Sequence, residues 1–328
     1  DGDNRAMVRA GLRRLGERAR PGLAALMDLL RLGQGAPLTS QDIAFRIAPR
    51  LNAPGRVGSP EPALELLLAR SVTEGNAAAA RVEQLQNERK RVQETILAEA
   101  LRDVEQLNLA ERGAIVVGRE GWNHGIVGIV AGRLSDTFKR PVVVVGFDGG
   151  VGRGSVRGPA GARLHDALTR CAGHLERFGG HQAAAGLDLR VERLEEFRSA
   201  FERVCEELCP RSGTTERGET GDAVGLAEGD ALQRVHADLE RLEPFGSGNP
   251  PVKLRLQATV ERMRTVRGGH LKLELTVDGQ PLGAFAAGMA ERAPQPGSRV
   301  ELLGTLRRDT WRGGNALEVV VDGLELLP

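Results

Sequence analysis

The chain has 328 residues, 41% hydrophobic and 27% charged, with a formal net charge of +1. That composition is ordinary for a globular protein and excludes a disordered or collagen-like chain, while the length calls for two or three domains. No apolar run approaches the ~18 residues of a membrane span, no signal peptide is visible, and Cys171, Cys205 and Cys209 cannot make a disulfide framework or, with no histidine at ligand spacing, a metal site. A reducing cytoplasm is the simplest compartment.

Residues 1–75 read as helical. Met7, Val8, Leu12 and Leu15 keep helical spacing up to Pro21, and the pattern resumes over Leu23 to Leu32. Thr39 and Asp42 mark a helix start near Ser40, and Pro49 is expected to end it. Only four of the 45 basic residues are lysine, and ten arginines face five acidic residues between Asp1 and Arg56. Arginine suits forked binding of phosphate, although a GC-rich genome or solvated helix faces would give the same excess. Arg46, Arg50, Asn52 and Arg56 cluster around Pro54-Gly55, where helix-terminal arginines can cap carbonyls.

Residues 76–111 hold a long helix without proline. Val82, Leu85, Val92, Ile96 and Leu107 fall near a seven-residue repeat, so a helix of about 30 residues, ~45 Å long, reads as a connecting strut. A coiled-coil dimer is the rival, and Arg89 on the apolar stripe speaks against it.

Residues 112–212 alternate apolar β-branched runs (Ala114 to Gly118, Val142 to Phe147) with helices over Ile126 to Leu134, Leu164 to Leu175 and Arg193 to Leu208, an α/β layer. Two glycine-rich stretches stand out, Gly152-Arg-Gly-Ser-Val-Arg157 and Gly179-Gly-His-Gln-Ala-Ala-Ala-Gly186. They are expected to be loops forming two lips of a phosphate site. Gly179 and Gly180 would open the backbone, Ser155, Arg157 and His181 would donate to phosphate oxygens, and Arg153 would assist. The alternative is a pair of tight turns.

Residues 213–251 are a connection ending in the turn Pro244-Phe-Gly-Ser-Gly-Asn-Pro-Pro251. Residues 252–328 alternate with period two in about five short strands, the pattern of a small OB-fold barrel. Its basic hairpins offer Arg264, Arg267, Trp311 and Arg312 to single strands, by charge and by stacking of a base on the indole. A polar-edged barrel used only for packing is the alternative.

Read in this order, GRGSVRG, GGHQAAAG, REGWNHGIVGIVAGRL (Arg119 to Leu134) and LERLEPFGSGNPPV (Leu239 to Val252) resemble the RecJ family of the DHH phosphoesterase superfamily. The resemblance covers the whole chain and implies the end of a catalytic domain, a DHH-associated α/β domain and an OB-fold. It implies a 5′→3′ exonuclease of single-stranded DNA that uses Mn²⁺ or Mg²⁺, works beside DNA-repair proteins, and has no membrane. It also implies that Arg50, Asn52 and Arg56 border the DNA path. No Asp-His-His triplet occurs in the sequence. The expectation is therefore a chain that binds substrate and the 5′ phosphate, with no catalytic residue and no metal ligand of its own. A non-catalytic binding relative and a phosphodiesterase of small nucleotides are the alternatives. Two positions depart from the family pattern. Asn123 stands where a histidine usually follows Trp122, which weakens any role for His124, and Gly158 replaces a serine.

Overall fold

A computed structural model describes residues 2–34, 37–208, 223–227, 229–246, 248–309 and 316–328. The chain divides into two compact units, residues 11–215 and residues 1–10 with 216–328.

The first unit opens with helices. They are α1 (Gly2–Gly16, whose first residues fall in the other unit), α2 (Pro21–Leu29), α3 (Ser40–Asp42), α4 (Ala48–Asn52), α5 (Pro54–Val57) and α6 (Glu61–Leu68). Thr39 and Asp42 close a reciprocal capping box at the start of α3. The chain does not stop at Pro49. A π-turn over Ile43–Ile47 leads into α4, where Pro49 sits in the first turn, a place where its missing N–H breaks no hydrogen bond.

Next comes α7 (Val72–Gln106), 35 residues capped by Ser71. It starts earlier than its proline-free stretch suggests, because Gly75 is buried within it rather than ending it. One end of its buried stripe, Ala79 and Val82, packs with Leu26, Met27 and Leu66. The other, Ile96, Ala100 and Val104, packs with Ile126, Val130 and Leu134 of α8 (His124–Phe138). So α7 packs at both ends and runs from one core cluster to the other.

A five-stranded sheet follows in the order β1-β2-β3-β5-β4. Its strands are β1 (Ile115–Glu120), β2 (Val142–Asp148), β3 (Val151–Arg157), β4 (Arg177–Gly180) and β5 (Ala184–Arg190). Only β1 and β2 run parallel; the other pairings are antiparallel. Val143, Val145, Phe147, Val156 and Leu187 face a core closed by α9 (Leu164–Arg170) and α10 (Leu194–Leu208). The opposite face of β1 and β2 packs on α8 and α7. Of the two glycine-rich stretches expected as loops, GRGSVR is the strand β3, while GGHQAAAG runs from the end of β4 through a turn at residues 181–183 into β5.

In the second unit, α11 (Leu232–Leu242) and the short β6 (Val224–Gly225) precede a closed barrel. Its strands are β7 (Leu254–Val266), β8 (His270–Val277), β9 (Gln280–Ala286), β10 (Arg299–Arg308) and β11 (Leu317–Leu326). Pairing runs β10-β11-β9-β8-β7, and β10 pairs again with β7 to close the ring. The alternating leucines and valines of the sequence fill its interior. The whole is an α/β layer linked by a long helix and followed by an OB-type barrel.

Candidate phosphate site

The site is built on a strand face rather than on loops. Side chains alternate along β3, so Val156 enters the core while Arg153, Ser155 and Arg157 share the other face. Across the sheet Ser155 stands opposite Gly186, and Gly186 opposite Gly179. Beyond Ser155 the floor is therefore backbone alone, and both glycines are exposed.

The packing of α8 makes the approach possible. Gly125 and Gly128 lie one turn apart on it. A Cβ on Gly128 would fall 2.9 Å from Ser155 Oγ and 3.3 Å from Arg157 Nη2. A Cβ on Gly125 would fall 2.2 Å from the backbone oxygen of Arg56. Arg56 Nη1 in turn donates to the Gly125 carbonyl at 3.0 Å. One helix face thus gathers Arg56 from α5, and Ser155 and Arg157 from β3.

Arg157 Nη1 donates to Ser155 Oγ at 3.0 Å and to the Val156 carbonyl at 2.7 Å. Burial, then the nearby Arg56 charge, pushes the Arg157 guanidinium below its ordinary value. Arg89 of α7 is lowered in the same way, by burial first and then by Arg56 and Arg133. Arg56 thus adds its charge to both Arg157 and Arg89, and Arg133 adds its own to Arg89. Among the described residues no carboxylate pairs with any of these four arginines. Arg56, Arg89 and Arg157 are half-buried and Arg133 is exposed; a half-buried cation without a counter-charge raises the energy of the fold until an anion joins it. Phosphate, which accepts forked hydrogen bonds from guanidinium, is the anion such a set suits.

Other expected residues are differently placed. Arg50 Nε meets Glu83 Oε2 at 2.5 Å, so its charge is already balanced. Arg153 and Arg177 both pair with Asp188, at 3.3 and 2.9 Å. Asn52 is exposed at the end of α4. Gly180 takes φ of 143°, and a Cβ there would fall 2.5 Å from Ala185 Cα, so only glycine fits. The turn that follows is closed by His181 N–H donating to the Ala184 carbonyl at 2.9 Å, with the residue exposed. His181 lies at the same end of the sheet as Arg157, with β5 between their strands. His124 bonds the Gly146 carbonyl through Nε2 at 3.0 Å, while Asn123 caps α8 by accepting from Gly125 N–H.

Comparison with known families gives a DHHA1 domain over residues 111–207 and a RecJ OB domain over residues 226–323. The chain is RecJ-like. The single-stranded-DNA-specific exonuclease RecJ of Bacillus subtilis is 32% identical over 326 residues, 97% of this chain and 41% of that protein. The Escherichia coli enzyme of the same name is 30% identical over 338 residues, 99% of this chain and 58% of that one. The crystal structure of Thermus thermophilus RecJ with Mn²⁺ superposes with a TM-score of 0.79 at 30% identity, over 98% of this chain and 46% of that one. The Mg²⁺ complex gives 0.77 at 29% identity, over 99% and 49%. The chain spans about half the length of these RecJ relatives.

In the RecJ OB domain, Arg264 and Arg267 are exposed near the β7–β8 hairpin. Arg262, Arg264 and Lys272 line a groove with Glu274, Asp309 and Glu318. Glu318, 5% exposed, holds Arg307 at 2.7 Å and Lys272 at 3.7 Å, so part of this basic surface is already neutralised. Trp311 and Arg312 lie outside the described residues. Sequence reasoning passes over the half-buried Arg89, whose side chain is held by Gln86 and Gln93. The signal for Arg89 is three polar residues, Gln86, Arg89 and Gln93, in the middle of an otherwise apolar stripe.

Proposed function

We propose that this chain grips single-stranded DNA by its 5′ phosphate on behalf of a 5′→3′ exonuclease of the RecJ type. The half-buried pair of Ser155 and Arg157, with the charge of Arg56 close by and no carboxylate pairing with either arginine among the described residues, carries this reading. Ser155 and Arg157 bind the terminal phosphate as a pair, and Arg56 adds charge from the α8 side. The exposed backbone of Gly179 and Gly186 lets the first nucleotide lie close to the sheet. His181, one strand farther on, serves the next group of the strand. Arg264 and Arg267, with Trp311 and Arg312, guide the strand along the barrel. Cytoplasmic work beside DNA-repair proteins accompanies this reading.

The solved Thermus RecJ structures carry Mn²⁺ or Mg²⁺. Among the described residues here, no three His, Cys, Asp or Glu side chains come together as a group able to hold a metal ion.

Fluorescence anisotropy with oligonucleotides differing only at the 5′ end tests the proposal. A 5′-phosphorylated single strand should bind at least about tenfold more tightly than its 5′-hydroxyl counterpart, as charge-assisted hydrogen bonds predict. Equal affinities would remove the phosphate reading. Metal-dependent release of mononucleotides by the pure chain would remove the purely binding role.

A further inference from the structure

One row of residues crosses the outer face of the barrel through five strands. Arg262 of β7 stands opposite Glu274 of β8, and Glu274 opposite Gly283 of β9. Gly283 in turn stands opposite Glu318 of β11, and Glu318 opposite Arg307 of β10. Their neighbours along the strands, Leu273, Ala284, Val319 and Leu306, fill the interior, so alternation turns this row outward. The middle of the row is a gap. Gly283 has no side chain, and a Cβ there would lie 3.7 Å from Glu318 Cβ and 3.8 Å from Asp309 Oδ2.

The groove over this row has a volume of about 340 Å³, within the range of small-molecule sites. Its charges are sorted by depth. Glu318 and Asp309 are buried on its floor, whereas Arg262, Arg264 and Arg307 are exposed around it. Such a floor repels a DNA phosphate, which the rim attracts. A neutral base suits the floor, provided it brings N–H donors to the carboxylates. Glu318 has room for one. Its Oε1 accepts from Arg307, while Lys272 Nζ stays 3.7 Å from Oε2, near enough to balance charge but longer than a hydrogen bond. Beside the groove, half-buried Phe285 stands opposite Lys272, with the His270 ring edge-on at 5.5 Å.

We propose that this groove seats a nucleobase and favours one that carries an exocyclic amino group. The inference rests on the single-strand reading of the barrel above. Phe285 stacks against the base, and Glu318 and Asp309 accept from its amino group, as carboxylates do from cytosine N4. Thymine carries the acceptor O4 in place of that amino group, turns it toward the same oxygens and is disfavoured. The barrel thereby adds a base preference to a surface whose arginines alone would hold any sequence by its phosphates.

The test uses the full chain and two 5′-phosphorylated single strands of equal length, one built of thymine and one of 5-methylcytosine. These bases share their size and methyl group and differ at the hydrogen-bonding edge. Fluorescence anisotropy should show the 5-methylcytosine strand bound about tenfold more tightly, the scale of one charge-assisted hydrogen bond. Glu318→Gln should reduce that ratio to about twofold or less, because an amide donates as well as accepts. Gly283→Ala keeps every charge and fills the gap, and should reduce the ratio equally. That variant decides the matter if Glu318→Gln fails to fold by circular dichroism. Phe285→Leu should weaken both strands by about tenfold through lost stacking. If neither strand binds the unaltered chain, the single-strand reading falls and this inference with it. If both bind alike, if Glu318→Gln and Gly283→Ala keep the full ratio, or if Phe285→Leu changes neither affinity, only the base seat is overturned.

Discussion

Arg157 and Ser155, two positions apart on β3, point to the same side of the sheet and are joined by a 3.0 Å hydrogen bond from Nη1 to Oγ. The bond aligns the guanidinium with the hydroxyl before any ligand arrives, which lowers the ordering cost of binding. Arg157→Ala should weaken binding of a 5′-phosphorylated oligonucleotide by about ten- to a hundredfold, corresponding to roughly 1.5–3 kcal/mol for a charge-assisted hydrogen bond. Ser155→Ala should cost less, because it removes a neutral partner. Anisotropy titrations of both variants check this; an unchanged preference for the phosphorylated end in Arg157→Ala would make β3 an ordinary strand.

Gly128 allows stability and binding to be separated. Glycine to alanine inside a helix usually stabilises by up to about 1 kcal/mol, and α8 is otherwise well formed. Here the new Cβ would meet Ser155 Oγ at 2.9 Å and Arg157 Nη2 at 3.3 Å. Those are the movable ends of side chains, so the fold can yield where the site cannot. Gly128→Ala should therefore melt within a few degrees of the unaltered chain yet lose much of its 5′-phosphate preference. Retention of the full preference would show that the close approach of α8 does not shape the site.

The alternating leucines and valines make the barrel legible in the sequence, because a two-residue period has one structural meaning when it recurs in successive strands. Val142 to Phe147 announces its strand in the same way. The stretch GRGSVR reads as a loop yet folds as a strand, and the reason is physical. Gly152 and Gly154 occupy inward positions of β3, where a Cβ would strike Phe147 and Leu187, respectively. There glycine marks close packing and not a turn. Ser155 and Arg157 are legible nonetheless, since their chemistry survives the change of backbone. Arg50 and Arg153 show the reverse limit. Nothing in the local sequence reveals Glu83, 33 residues away, or Asp188, 35 residues away, as the partners that neutralise them.

His236 on α11 gives the barrel unit a pH dependence. It is 7% exposed, and burial pushes its pKa below the ordinary histidine value; Glu240 opposes this and Arg308 reinforces it. The folded state thus binds the proton less readily than the unfolded chain. Stability is full above the unfolded value of about 6.5 and falls as pH drops through the lower folded value. Thermal melts should show the unit losing stability below about pH 6.5, and His236→Gln should flatten that part of the profile. A His236→Gln curve parallel to that of the unaltered chain would assign the acid sensitivity to other groups.

Salt dependence distinguishes arginines that are available to DNA from those already paired. For single strands the slope of log K against log salt is about −0.7 for each phosphate neutralised. Arg56 has no carboxylate partner among the described residues and donates only to a backbone oxygen. Arg56→Ala should therefore make the slope shallower by about 0.7, with weaker binding at low salt. Arg153 shares Asp188 with Arg177, so its removal frees no phosphate and leaves the slope where it was. Arg50→Ala should act on the fold instead. It strands Glu83, 22% exposed, without its partner, and should lower the melting temperature while the slope stays constant. Titrations of the three variants from low to moderate salt separate these outcomes. A slope that changes for Arg50 or Arg153 but not for Arg56 would place the path of the DNA away from the α5–α8 contact.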